Sequence, residues 1–272
     1  MPWTSQHLDW LADTGETLTT ADGKAVKIYK LSPQNHDEIF TSWAKHFRNH
    51  YCLDSEIDAL RAGTGLSRAD YLLEYAFPGK SAPPGPSIRA GDFAEILLAD
   101  YLEFLCQFWV PRFRYDEKAI RDESTKGADV IGFKFIFSDE TADDILSTFE
   151  AKAKLTGTAT GNRLQDAVDD SEKDFYVRKG QSLNAIKRRL IRSGNREDAE
   201  KVARFQNKAD HPYREISGAA AVLSTSAFDP TALGATNTSS HPNNGDLELL
   251  IITGESLMDL VHFLYDKAAD DA

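Results

Sequence analysis

The stretch that decides the fold runs over residues 126–154 and reads KGADVIGFKFIF, then an acidic loop, then ILSTFEAKAK. Two apolar runs rich in Val, Ile and Phe flank a polar turn at residues 138–144, a pattern that predicts a β-hairpin with a longer loop. Asp129 lies at the start of the first predicted strand, and Glu150 and Lys152 lie near the end of the second. Because residues two apart point to the same face of a strand, we expect Glu150 and Lys152 to point together.

The elements around this hairpin alternate between helices and strands. Residues 91–109 have an apolar stripe at helical spacing, with Asp92 as the predicted N-cap. Helices are predicted directly after the hairpin, followed by strands at residues 219–224 and 247–253 and by an amphipathic helix at residues 256–267. This order predicts an α/β fold with a mixed central sheet flanked by helices.

The N-terminal segment 1–80 is predicted to form a mainly helical extension with one strand at residues 25–31. The cluster FPGKSAPPGP, which ends at Pro86, has too many prolines and glycines to continue a helix or to pair as a central strand. We therefore expect a boundary there, between an extension at residues 1–80 that docks a partner and a second domain at residues 87–272.

Composition is that of an ordinary globular protein. The 272 residues allow one large domain or two small ones, and 41% are hydrophobic and 27% charged. With only two cysteines, a disulfide framework is not expected and a reducing compartment is predicted. The charged segment Met1–Asp13 and the absence of a long apolar run predict no signal peptide, no membrane span and a cytoplasmic location.

Charge is distributed unevenly along the chain. The net charge is −12, whereas proteins that coat DNA are usually basic, so any contact with DNA must be local or supplied by a partner. Residues 172–208 carry eleven Lys or Arg against five acids, a local net charge of +6. This stretch is either a solvated helical face or a nucleic-acid interface, and the candidate contacts are Lys173, Arg178, Lys179, Lys187, Arg188, Arg189 and Arg192.

The acids and the lysine of the hairpin match the needs of metal-dependent phosphodiester cleavage. Such chemistry uses carboxylate oxygens to hold Mg²⁺ or Mn²⁺, and a group that positions the attacking water and offsets charge at phosphorus. Asp129 and Glu150 are candidate metal ligands, and Lys152 is the candidate group for the water. Glu95, one helix upstream, is placed to complete the metal site. Gln165, one helix downstream, is placed to contact a phosphate or the lysine.

Other interpretations of these residues remain open. Glu-x-Lys is a common tripeptide, so Asp129, Glu150 and Lys152 could be solvated strand charges, although charges at the ends of apolar strands are costly unless paired or used. His46 and His50 are four residues apart on a predicted helix and could face one metal ion, but a solvated helix face is favoured because no third ligand is evident. No glycine-rich phosphate loop precedes Lys-Ser/Thr, which argues against a nucleotide hydrolase.

These residues resemble the PD-(D/E)xK nuclease superfamily in four segments: a helix with Glu95, GADVIGF with Asp129, FEAK with Glu150 and Lys152, and LQDA with Gln165. The resemblance implies a restriction-endonuclease-like core in which the two hairpin acids bind metal and the lysine is catalytic. Two positions depart from the superfamily pattern. Ala128 replaces the usual proline, and Asp169 replaces the tyrosine of a Q-x-x-x-Y pattern, which weakens the assignment of Gln165.

The layout from about residue 85 to residue 272 is similar, more specifically, to the Hachiman antiphage-defence nuclease subunit family, HamA. The similar segments are GDFAEILLADYL, KGADVIGF and EAKAK. This resemblance implies a DNase that works with a superfamily 2 helicase, HamB, and stays inactive until the helicase engages foreign or damaged DNA. The alternative is a non-catalytic subunit that keeps the nuclease fold and binds a partner or DNA.

Overall fold

The structure is a computed structural model that describes residues 3–115, 118–137 and 139–272. Position 138, where the predicted hairpin turn begins, lies outside the described residues. In the described part, a six-stranded sheet forms from β1 (Leu11–Thr19), β2 (Ala25–Leu31), β3 (Val130–Lys134), β4 (Ile145–Lys154), β5 (Arg214–Ser224) and β6 (Leu247–Gly254). The strand order is β1-β2-β6-β5-β4-β3. The sheet is mixed, because the two edge pairs are antiparallel and the three inner pairs are parallel.

The α-helices are α1 (Asp37–Asn49), α2 (Ile57–Arg61), α3 (Arg68–Tyr71), α4 (Gly85–Asp100), α5 (Arg163–Lys173), α6 (Lys179–Arg192), α7 (Arg196–Arg204), α8 (Pro230–Gly234) and α9 (Leu257–Asp270). Short 3-10 helices lie at Gln6–Trp10, Thr225–Ala227 and Asn244–Asp246, and π-helical turns at Leu72–Ala76, Tyr101–Leu105 and Asp174–Arg178. The last of these turns joins α5 to α6 without a break. We refer to residues 163–192 as the α5–α6 helix.

Helices cover both faces of the sheet. On one face, α1, α4 and α9 pack over the strands around Phe149 and Ile252. On the other face, the start of the α5–α6 helix covers the central strands, and its end packs with α7 over β3 and β4. The central strands therefore contact apolar helices on both sides, which explains their nearly continuous apolar sequences. No helix in the described part of the chain is both long and apolar enough to cross a lipid bilayer.

The predicted α/β fold with a mixed, helix-flanked sheet is confirmed. The hairpin is confirmed as the antiparallel pair of β3 and β4, in which Val130 lies opposite Phe149. The predicted strand at residues 25–31 is β2. The strand β1 was not predicted, because its sequence LADTGETLT is mostly polar, as is common for an edge strand.

The predicted start of the long helix at Asp92 was wrong. The helix α4 begins seven residues earlier, at Gly85, and Asp92 is buried in its middle. The proline-rich cluster therefore starts a helix instead of only interrupting the chain, because proline is tolerated in the first turn, where the N–H groups have no intrahelical partner. The carboxylate of Asp92 accepts hydrogen bonds from Tyr51 (2.8 Å) and Lys118 (2.6 Å).

The N-terminal segment 1–80 shares the sheet and the core with the rest of the chain. The strand β2 pairs with β6 from Val26 to Leu31, and α1 packs against α9. The predicted boundary lies just before α4, in a segment that connects two parts of one core. A role of this N-terminal segment in docking a partner stays a prediction.

Candidate active site

The hairpin places Asp129, Glu150 and Lys152 beside one another. Asp129 directly precedes β3 and lies across from Glu150 of β4, because the next residue pairs with Phe149. The backbone N–H of Ala151 donates to Oδ2 of Asp129 at 3.0 Å. Nζ of Lys152 donates to Oε1 of Glu150 at 2.8 Å. The strand register thus brings the three charged side chains to the sheet face that the α5–α6 helix covers.

Glu95 of α4 joins this group through Arg114, a residue that the sequence did not single out. Arg114 donates from Nε to Glu95 (2.5 Å), from Nη2 to Asp129 (2.6 Å) and from Nη1 to the carbonyl of Ala128 (2.5 Å). The hydroxyl of Tyr115 also donates to Glu95, at 2.6 Å. One guanidinium therefore pairs with two of the predicted site acids.

The α5–α6 helix contributes three further charged side chains at intervals of four residues. Asp170 accepts from Nζ of Lys152 at 2.6 Å. Asp174 is buried at the first position of the π-turn, and Arg178 occupies its last. Nη1 of Arg178 lies 3.5 Å from Oδ1 of Asp174 and 3.7 Å from Oε2 of Glu150. The site therefore has two walls, the hairpin and this helix.

Burial sets the protonation behaviour of the site. It raises the pKa of Asp129 to about 7, although Arg114 acts in the opposite direction. Burial, and then the charge of Asp174, raises the pKa of Glu150 to about 7, and the pKa of Asp174 is raised to about 6 by burial and the charge of Asp129. Burial lowers the pKa of Lys152, but the neighbouring carboxylates more than reverse this and hold it protonated. Such clusters of shifted groups are typical of functional sites.

The site offers carboxylate oxygens that suit a hard divalent cation. Within the described residues, Oε2 of Glu150 and both carboxylate oxygens of Asp174 are buried and have no N–H donor at good hydrogen-bond distance, and the two carboxylates are close enough to share a proton. Mg²⁺ and Mn²⁺ prefer oxygen ligands, and Mg²⁺ usually takes one or two carboxylates and keeps several waters. Glu150 therefore fits the metal role expected from the sequence. In this arrangement the oxygens of Asp129 and Glu95 are engaged by Arg114 and its neighbours.

A second group of potential ligands lies at the N-terminus. In the part of the chain that the structure describes, His7, His46 and Asp100 are the one group of three whose ligand atoms all lie within 4.8 Å of one another. The backbone N–H of Thr4 donates to Nδ1 of His46 at 3.1 Å, so the ring proton is on Nε2, which donates to Asp100 at 2.9 Å. His7 donates to the other oxygen of Asp100 at 2.9 Å. These hydrogen bonds describe a structural network and not a metal site.

This network corrects the interpretation of His46 and His50 as a solvated helix face. Both side chains are buried, with 0% and 3% of their surface exposed. Arg112 is paired with Asp100 at 2.6 Å and lies 2.9 Å from Nε2 of His50. The two histidines face inward because Asp100 and Arg112, which come from elsewhere in the chain, hold them there.

Gln165 lies away from the lysine that it was expected to contact. Its amide donates to Asp169 at 2.7 Å, and its oxygen accepts from the backbone N–H of Asn237 at 2.7 Å. The residue of α5 that contacts Lys152 is Asp170, five positions further along. No local sequence pattern separated Asp170 from its neighbours, because acids also occur at positions 166, 169, 172 and 174.

Among the seven candidate nucleic-acid contacts, Lys173, Arg178 and Lys179 lie beside acids of the described chain. Lys173 pairs with Asp170, and Lys179 pairs with Glu215 of β5. Arg178 lies beside the carboxylates of the site, as described above. These three residues balance local negative charge, which reduces the positive potential that they offer to a phosphate backbone.

The other four candidates lie toward the C-terminal end of α6. Arg188 and Arg192 are exposed and one helical turn apart. Lys187 donates to Gln206 at 2.9 Å, and the guanidinium of Arg189 lies 5.4 Å from the centre of the Phe113 ring. This end of the helix keeps a positive, solvent-facing surface.

A cavity of about 420 Å³ connects this end of α6 with the predicted site acids. It lies between α6 and residues 110–115 and 118–131, which precede and begin β3, and it reaches Glu95 and Asp129. Its cationic lining residues are Arg112, Arg114, Lys118, Lys126 and Arg189. The lining also includes the acids Glu95, Glu123 and Asp129, and Arg112, Arg114 and Lys118 are paired with acids, so the cavity is an approach to the acids with a mixed-charge lining.

The mixed sheet, the hairpin and the buried acids define an α/β protein that is consistent with a nuclease-like core. The sequence profile of the HamA family matches residues 5–268. The chain belongs to the HamA family and is a component of a Hachiman defence system. The match extends through the N-terminal segment, beyond the part in which the resemblance was noticed. None of the curated proteins matches the chain at a significant level.

Proposed function

We propose that this protein is a Mg²⁺-dependent deoxyribonuclease of the PD-(D/E)xK type that acts as the effector of a helicase-coupled antiphage complex. The observation that carries this proposal is the position of Asp129 across the hairpin from Glu150, with Lys152 hydrogen-bonded to Glu150. Membership of the HamA family supports the role in defence. The proposed partners are the superfamily 2 helicase HamB and DNA.

The chemistry of the proposed reaction follows from the surroundings of each side chain. A divalent cation, when bound, supplies positive charge at the scissile phosphate and makes a nearby water easier to deprotonate. Glu150 would hold the cation, since its Oε2 has no hydrogen-bond partner among the described residues. Lys152 stays protonated between two carboxylates, so it donates hydrogen bonds and offsets charge that develops at phosphorus. The Ala151 N–H fixes the orientation of the Asp129 carboxylate.

The contacts of Arg114 support an inactive resting state. Its guanidinium holds Glu95 and Asp129 at hydrogen-bonding distance, and a cation that is to use these oxygens has to replace it. The segment that carries Arg114 also lines the cavity beside α6. Binding of a partner or of DNA at this cavity is the event that we propose releases the acids.

The second candidate function is a non-catalytic subunit that keeps the nuclease fold and binds DNA or a partner. The contacts of Arg114 also favour this alternative, because Arg114 already pairs with Glu95 and Asp129, the two acids that a nuclease would use to bind metal. Under this alternative, the ion pairs of Arg114 with Glu95 and Asp129 are permanent and structural. The two functions differ in whether the purified complex cuts DNA.

Cleavage of plasmid and linear DNA with Mg²⁺ tests the proposal, for the protein alone and with the helicase partner and ATP. We expect Glu150→Gln and Lys152→Ala each to lower cleavage by about 100-fold or more, as for the loss of a group that stabilises the transition state. Glu255→Gln, at an exposed position, is the matched control and should cut like the wild type. Equal cutting by the Glu150 variant would refute the site. An intact helicase complex that never cuts would favour the non-catalytic subunit.

The DNA interface is tested separately at the exposed end of α6. Reversing the charges of Arg188 and Arg192 to Glu should weaken binding of DNA, and the slope of log affinity against log salt should become shallower by about 2, or about 0.9 per lost phosphate contact. The double variant Lys27→Glu/Lys30→Glu, at two exposed positions of β2, changes the net charge by the same amount and is the control. An equal loss of affinity in both proteins would show that net charge matters and not the helix.

A further inference from the structure

We propose that Asp174 is a further metal ligand of this protein, and that the π-turn of the α5–α6 helix places it beside Glu150 to hold the same divalent cation. This inference rests on the proposed function and adds to it a ligand from the wall of the site opposite the hairpin. The hairpin and the helix would then each supply one carboxylate, and water would complete the coordination.

The first support is the state of the Asp174 carboxylate. The side chain is 1% exposed, and no N–H group of the described residues donates to it at good hydrogen-bond distance; its neighbour is the carboxylate of Glu150, close enough for the two groups to share a proton. Oε2 of Glu150, which is also buried, has no such N–H donor either. A buried carboxylate without hydrogen-bond donors is strongly unfavourable, so such groups in folded proteins usually pair with a cation or bind metal.

The second support is the π-turn itself. The α5–α6 helix is regular on both sides of residues 174–178, and the turn contains neither glycine nor proline that would explain it. It buries the acid Asp174 while it leaves the apolar side chains of Tyr176 and Val177 exposed at 66% and 60%. This pattern opposes stability, since burial favours apolar groups. Single π-turns within α-helices occur frequently at functional sites, where they direct a chosen side chain.

Arg178 does not remove the need for a cation. Its guanidinium lies 3.5 Å from Asp174 and 3.7 Å from Glu150, which is within ion-pair range but beyond good hydrogen-bond distance. One positive charge therefore faces two carboxylates. The Arg178 side chain is 31% exposed, so it has room to move toward solvent when a divalent cation enters. Lys152 lies to one side, between Glu150 and Asp170.

Binding of Mn²⁺ to the full-length protein, measured by electron paramagnetic resonance without DNA, tests this inference. We expect Asp174→Asn to weaken Mn²⁺ binding at least tenfold and to abolish the rise in melting temperature that Mn²⁺ gives the wild type. Asp166→Asn is the matched control, because Asp166 lies on the same helix with its side chain 46% exposed. The control should bind Mn²⁺ like the wild type. Without metal, Asp174→Asn should melt no lower than the wild type, because it loses a buried charge that Arg178 compensates only at 3.5 Å.

Three outcomes would overturn the inference: Asp174→Asn binds Mn²⁺ as tightly as the wild type, the wild type binds none, or the metal-free variant is less stable or does not fold. The last would make Asp174 a structural acid. Failure of the proposed function is recognised separately. If the wild type binds Mn²⁺ but cuts no DNA, and if Glu150→Gln and Asp174→Asn both abolish Mn²⁺ binding, the metal site is supported and the nuclease function is rejected.

Discussion

Replacement of Arg114 with methionine isolates the ion pairs that hold the site acids together. Methionine keeps most of the length and apolar volume of the side chain but has no N–H donors. The variant leaves Glu95 and Asp129 without their cation, and their side chains are only 14% and 10% exposed. It also removes the donor to the carbonyl of Ala128.

The size of the effect follows from these contacts. Removing one partner of a buried ion pair costs about 3–5 kcal/mol, and an unsatisfied buried carbonyl adds about 1 kcal/mol or more. Protonation of the stranded acids reduces this penalty, because burial already raises the pKa of Asp129 to about 7. We therefore expect Arg114→Met to lower the free energy of unfolding by about 3 kcal/mol at pH 8, near the lower end of that range.

The deficit should depend on pH with a definite sign. In the variant the folded acids have raised pKa values, so near neutral pH the folded state binds protons that the unfolded chain has released. Stability must then fall as the pH rises, by up to about 1.4 kcal/mol per pH unit for each acid. The deficit of Arg114→Met should therefore be smaller at pH 6 than at pH 8.

Urea unfolding followed by tryptophan fluorescence at pH 6, 7 and 8 measures this deficit, since the chain has four tryptophans. Arg163→Met is the control. Arg163 makes an exposed pair with Asp166, in which the side chains are 39% and 46% exposed, and its loss should cost less than about 1 kcal/mol at every pH. A deficit for Arg114→Met below about 1 kcal/mol, or one equal at pH 6 and pH 8, would refute the reasoning.

Two further outcomes are expected. In Gly218→Ala, the new Cβ would lie 2.3 Å from the ring of Phe149, so we expect the free energy of unfolding, measured with urea, to fall by about 1–3 kcal/mol. In the control Gly180→Ala, the new Cβ has open space in a helix, so the free energy of unfolding should rise by up to about 1 kcal/mol. Equal changes in the free energy of unfolding for the two variants would contradict the close packing of Gly218 against Phe149. Burial lowers the pKa of His46 and of His50 below 6.5, so the unfolded chain binds protons that the fold excludes. Because the raised pKa values of Asp129 and Glu150 act on stability in the opposite direction, this contribution is measured as the difference between the wild type and His50→Gln, which should change between pH 7 and pH 5 by up to about 1.4 kcal/mol per pH unit. A difference that does not depend on pH would contradict this.

The parts of the fold that could be predicted are those that local sequence determines. The hairpin follows from two apolar runs with a polar turn, and its strands carry the acids at positions that alternation alone assigns to one face. The start of α4 and the strand β1 were missed for opposite reasons. Prolines in a first helical turn look like a break, and a polar edge strand lacks the apolar signal of a central one.

The site residues that the sequence did not predict are brought into the site by contacts between segments that are distant in sequence. Arg114 comes from a segment without periodicity, and only the folded chain shows that it lies between Glu95 and Asp129. Asp174 was counted as one acid in a basic stretch, because no local pattern distinguishes a π-turn from a regular α-helix. Sequence therefore located the hairpin acids, but not the cation that holds them or the acid that faces them.

The balance of charge in the site connects its resting state with the proposed reaction. Glu150, Asp129 and Asp174 converge in a buried region, and the only compensation among the described side chains near them comes from lysine and arginine. Two of these cations are tied elsewhere as well: Arg114 to Glu95 and Lys152 to an acid of α5. A divalent cation between the hairpin and the helix would supply the missing charge at one point. Arg178 would then no longer be needed as a counter-ion, and in the function proposed here it would be free to contact a phosphate instead.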